Sequence, residues 1–130
     1  MSRFTKNTLL IGTILMGLAV ILGAFGAHAL SDKLNTHQLE SYRTGVLYQF
    51  IHSLAILFIG VLSPHISENK LRGSVVLLGL GILFFSGSIY LLTTADLTGI
   101  PKVFLGPITP IGGLLFIAGW FNLAYQINKK

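Results

Sequence analysis

The chain has 130 residues, of which 52% are hydrophobic and 10% charged; soluble domains carry about 25% charged residues. A mean hydropathy of +0.76 leaves too few polar side chains to cover a globule in water, and the length bounds the chain to one domain. There is no cysteine, which excludes disulfides, thiolate catalysis and Cys-ligated metals. The net charge of +5 forms no basic stripe, because Lys and Arg fall between apolar segments, so it points to anionic lipid headgroups and away from nucleic acid.

Four apolar runs stand in chain order: about 8–30, 45–62, 73–92 and 108–127. Each is close to the ~20 residues that cross a bilayer as a helix. Lipid offers no hydrogen-bond partner to open backbone, so the runs are read as helices, and they are too long and too little alternating for barrel strands. The fold class expected is all-α, a four-helix transmembrane bundle forming a single integral membrane domain. Arg3, Lys6, an apolar run and Ala27-His28-Ala29 imitate a secretory signal. The run is longer than a signal's apolar region, so the segment is expected to stay as the first span.

Asn35 and Gln38 match a capping box, which would start the second helix near residue 36, outside the membrane. Pro64 ends it, and 65–72 form a polar connection. The third connection, 93–107, holds Gly99, Pro101, Gly106 and Pro107 and should be irregular. With four spans, Arg3, Lys6, Lys70, Arg72, Lys129 and Lys130 share one side, against Lys33, Arg43 and Lys102 on the other. Six against three places both termini in the cytoplasm of a bacterial cell.

The polar residues of the spans collect in the outer half. Ser41, Gly45, Tyr48, Gln49 and His52 recur at spacings of three and four on one face of the second helix. His28 ends the first helix; Ser86, Ser88 and Tyr90 lie toward the outer end of the third; Thr109 opens the fourth. Ionisable groups inside a span usually face the bundle or a wet cavity, so His52 is the sharpest feature. Two readings fit these residues. They line a ligand-binding pocket made of His28, Tyr48, Gln49, His52, Ser86, Ser88, Tyr90 and Thr109, or they join the helices by hydrogen bonds. Ala19, Gly23 and Ala27 in the first helix, and Gly112, Gly113 and Gly119 in the fourth, let backbones approach closely.

Catalysis finds little support. The carboxylates Asp32, Glu40, Glu68 and Asp96 all lie in or beside loops, and Ser53 points about 100° away from its neighbour His52. Four His without Cys or a buried carboxylate make a weak metal signal. A haem would need two intramembrane His to face each other. No catalytic residue, metal or cofactor is expected.

Leu22-Gly23-Ala24-Phe25-Gly26-Ala27-His28-Ala29-Leu30, Thr44-Gly45-Val46-Leu47-Tyr48-Gln49 with His52, Phe85-Ser86-Gly87-Ser88-Ile89-Tyr90, and Thr109-Pro110-Ile111-Gly112-Gly113 with Gly119-Trp120 follow one another along the four runs. In that order they resemble the motifs of a bacterial membrane-protein family, the domain of unknown function four-two-three. The resemblance implies a small inner-membrane protein with relatives in mitochondria, and it brings no catalytic residues.

The function expected from these features is binding of a lipid-like or other amphiphilic ligand in an outer-leaflet polar pocket, with membrane lipids as partners. The alternatives are an assembly factor that docks a membrane-protein partner, and a small transporter or channel formed as a homo-oligomer, with His52 as its titrating group.

Overall fold

A computed structural model describes residues 1–129. The chain runs through α1 (Arg3–His28), α2 (Thr36–Leu62), α3 (Glu68–Gly81), a π-helical turn (Ile82–Ser86), α4 (Gly87–Thr93), α5 (Ala95–Thr98), a 3₁₀ turn (Lys102–Phe104) and α6 (Ile108–Asn128). The third span is continuous from Glu68 to Thr93. The four long segments have 26 or 27 residues each, about 39 Å at 1.5 Å per residue, enough for a ~30 Å hydrocarbon core with some tilt. Among the described residues there is no strand, and the fold is an all-helical transmembrane bundle.

Helix ends are set by side chains. Ser2 Oγ accepts from Thr5 N at 3.0 Å, which lets α1 begin in polar sequence ahead of the apolar run. Asn35 and Gln38 form a complete capping box, with Gln38 N to Asn35 Oδ1 at 2.9 Å and Asn35 N to Gln38 Oε1 at 3.0 Å. α2 therefore projects more than two turns before its apolar run starts. His37 consequently sits in the first turn of α2. Gly99, at φ 77°, ends α5 in the left-handed conformation that only glycine adopts freely.

Lipid tails are as apolar as leucine, so burial alone does not pull these helices together. Close approach does, and small residues allow it. α1 and α2 lie side by side, with Gly12 against Leu57, Gly60 against Leu9 and Gly26 against Tyr42. Ala19 is fully buried and Gly23 lies against Val46, as the small-residue spacing read in the sequence placed them; only at the last position does the contact pass from Ala27, which faces outward, to Gly26. The third span and α6 form the second pair, with Gly119 against Leu78 and Gly112 against the backbone of Phe84 and Phe85. α2 joins the pairs and is the most buried of the four spans. One apolar core surrounds Ile56, Ile59, Leu71, Leu78 and Phe116. A smaller one, at the end opposite the termini, gathers Leu30, Leu34, Tyr42 and Val46.

The π turn falls where Gly112 meets the chain, and a Cβ at 112 would strike main-chain atoms that cannot swing aside. Gly112→Ala is expected to cost about 1–3 kcal/mol, the range for overpacking. Gly17→Ala, at a site with nothing within 4 Å, should leave stability unchanged. Thermal unfolding of both variants in detergent checks the pair, and equal effects would remove the close approach as the cause.

Candidate functional site

The polar residues of α2 are drawn into a hydrogen-bonded layer across the bundle. Gln49, 3% exposed, donates from Nε2 to Leu15 O of α1 at 2.9 Å and accepts from Tyr90 Oη of α4 at 2.7 Å. Ser86 Oγ donates to Gly45 O of α2 at 2.7 Å. Tyr42 Oη donates to Leu22 O of α1 at 2.7 Å, and its ring lies 5.1 Å from that of Tyr90. Ser88 Oγ and Thr109 Oγ1 are 2.6 Å apart and join α4 to α6.

His52 makes the remaining tie, to α6. Trp120 Nε1–H donates to His52 Nε2 at 3.1 Å, and an indole N–H can only donate. Nε2 is therefore an acceptor, and the proton sits on Nδ1, which donates to Tyr48 O at 2.7 Å. The imidazole stacks on Phe116 with ring centroids 3.5 Å apart and planes inclined by 12°. Both ring nitrogens are engaged, so neither is free to ligate a metal or to meet His28. Tyr48 turns its ring toward Phe85, 4.6 Å away, at the partly exposed edge of this layer. His28 stands apart from the other candidates, exposed at the end of α1.

Of the eight residues read from the sequence as a pocket, the structure thus brings seven into one interhelical layer and leaves His28 outside. In that layer the hydroxyl, amide and imidazole groups of Gln49, His52, Ser86, Ser88, Tyr90 and Thr109 are bonded to other parts of the chain.

Open space lies one step farther from the termini. A cleft of about 540 Å³ separates the start of α2 from α4 and the start of α6. His37, Gln38, Ser41 and Thr44 line it from α2; Ile89, Leu92 and Thr93 from α4; Lys102, Gly106, Thr109 and Pro110 from the last connection. Of these, Thr109 belongs to the pocket set read from the sequence and Ser41 to the polar stripe of α2. The sequence carried two signals for the cleft: the capping box, which turns His37 and Ser41 into helix positions, and the Gly/Pro-rich connection that folds over them. One wall is apolar, with Ile89 9% exposed. The rim is polar and cross-linked: Lys102 Nζ meets Asp96 Oδ1 at 2.8 Å, and Gln38 Nε2 donates to Asp96 Oδ2 at 3.1 Å. The Lys102 ammonium holds the Asp96 carboxyl below its ordinary value, so the pair persists at neutral pH and loosens only when acid protonates Asp96.

Residues 22–113, which contain the first three of these motifs and the start of the fourth, match the family model described as "Protein of unknown function (DUF423)". The chain belongs to this family. Relatives of the DUF423 chain cover nearly its whole length. It is 44% identical over 124 residues to a UPF0382 membrane protein of Staphylococcus aureus strain bovine RF122, covering 95% of this chain and 97% of that one. It is 39% identical over 128 residues to the UPF0382 membrane protein YwdK of Bacillus subtilis strain 168, covering 95% and 98%. No solved structure matches the chain.

Tyr90→Phe would leave Gln49 Oε1 without its donor inside the bundle. A double-mutant cycle of Gln49→Leu and Tyr90→Phe, read by unfolding in detergent, should give a coupling of about 0.6 kcal/mol, typical of interhelical bonds in membranes. Additive single effects would show that the two side chains do not stabilise each other.

Proposed function

We propose that this protein binds an amphiphilic, lipid-like molecule in the cleft between the start of α2 and the start of α6, at the outer face of the bacterial cytoplasmic membrane, with its termini in the cytoplasm. The observation that carries the reading is the composition of that cleft. Its rim offers an ammonium, an imidazole and hydroxyls at headgroup level, while Ile89, Leu92 and Pro110 form an apolar wall beneath them. A small polar set over apolar walls suits a molecule with a polar head and a hydrocarbon body. The surplus of Lys and Arg at the end bearing the termini supports the orientation.

The bonded layer around Gln49 and His52 has a different part in this reading. It closes the bundle beneath the cleft and fixes the distance between α2 and α6. The polar atoms of Gln49, His52, Ser86 and Tyr90 are already bonded within it, so a ligand's head meets groups with spare capacity such as Lys102 and Ser41.

The test fills the cleft without touching the layer. Ser41 is half-buried in its wall, and Ser41→Phe would occupy the space with a ring. Native mass spectrometry of the gently extracted protein should show a discrete co-extracted amphiphile that the Ser41→Phe variant loses, with melting temperature preserved. Full retention of that molecule by a folded Ser41→Phe protein would sink the proposal.

A further inference from the structure

A second cleft, of about 580 Å³, lies at the opposite end, between α1 and α3. Both helices lean on α2, and apart from Phe4, which packs into the main core, they leave a gap between them. Arg3, Asn7 and Arg72 line its mouth, and Ile11, Val75 and Val76 line its deeper wall. Ile11 is eight residues past Arg3, about 12 Å farther along the helix, so the cleft runs from a cationic mouth into the apolar span. The Arg72 guanidinium lies 5.1 Å above the centre of the Phe4 ring, and its ion pair with Glu68 is loose, at 3.8 Å. Among the described residues Arg3 has no ion pair.

The charge around this cleft is one-sided. The end bearing the termini carries six of the nine Lys and Arg and only one carboxylate, Glu68; the other end carries three of each. The whole net charge of +5 therefore sits at this end. Two planar guanidiniums over an apolar slot match a phosphodiester with a hydrocarbon chain attached: the fork accepts the phosphate oxygens and the slot the first methylenes.

We propose that the cleft between α1 and α3 binds an anionic phospholipid of the leaflet facing the termini, with its phosphate held by Arg3 and Arg72 and one acyl chain lying against Ile11, Val75 and Val76. This site is separate from the cleft at the other end and does not depend on it. The two Arg select for negative charge, and the slot selects for a lipid over a free anion.

Native mass spectrometry of the full chain in detergent, with equimolar phosphatidylglycerol and phosphatidylcholine, tests the site. The unaltered protein should retain one phosphatidylglycerol in preference to phosphatidylcholine. Arg3→Gln and Arg72→Gln should each reduce its occupancy about fivefold, and together roughly 25-fold. Ser41→Phe, in the other cleft, should leave it unchanged. Equal retention of the two lipids by the unaltered protein overturns the proposal, and this comparison needs no variant to fold. Undiminished phosphatidylglycerol in the double variant overturns it as well. Displacement of the lipid by excess inorganic phosphate would assign the arginines to a free anion and overturn the lipid site.

Discussion

Two side chains of α2, Gln49 and His52, have polar atoms that hydrocarbon cannot satisfy, and the arrangement of the other three spans answers that constraint. Gln49 reaches α1 through Leu15 O and α4 through Tyr90. His52 reaches α6 through Trp120. One helix thus holds all three neighbours by directional bonds. Each such bond is individually weak, about 0.6 kcal/mol, but each is satisfied in only one register. Glycines then let the helices close to the distance those bonds require. The apolar surface left outside, such as Leu54, Phe58 and Phe121, faces lipid at no cost.

The same layer divides the molecule. Toward one end lies a cleft whose rim combines Lys102, Asp96 and Gln38; toward the other lies a cleft edged by two arginines. Between them stand Gln49, Tyr90, Ser86 and the stacked pair His52–Phe116, all joined to neighbours. The half of the bundle near the termini is tied separately, by Asn122 Nδ2 to Ser74 Oγ at 2.8 Å and by Thr5 Oγ1 to Ser63 Oγ at 2.6 Å.

Much of the fold was legible in the sequence, because hydrocarbon leaves so few options. Run length and composition led to the helices, and Asn35 with Gln38 led to the projecting start of α2. The polar stripe was also visible, since Gly45, Gln49 and His52 share a face at spacings of three and four. Their partners were not visible. A stripe shows that polar groups look inward, but whether they meet an empty space or Trp120, Tyr90 and the Leu15 carbonyl depends on how the helices cross. Ser74 gave no signal, being a single hydroxyl among apolar residues. The shift from Ala27 to Gly26 in the α1 contact, and the π turn opposite Gly112, arise from interhelical fit and leave no local pattern. The cleft near Lys102 depends on how an irregular connection folds back, which periodicity does not describe.

Hydrogen-bonding capacity explains why a ligand would sit beside the polar cluster and not within it. Gln49 bonds through both ends of its amide, and His52 through both ring nitrogens. A ligand entering there would have to replace bonds already made, in a medium where an unmatched group costs several kcal/mol. At the mouths of the two clefts the position is reversed. Lys102 shares its three donors with one carboxylate, and Arg3 shares its five with none among the described residues. Water or headgroups satisfy these groups when no ligand is present, so exchanging those partners for a ligand's phosphate or hydroxyl costs little. The interior polar residues therefore tie the helices together, and the two proposed sites use the groups at the ends whose donors the bundle leaves unspent.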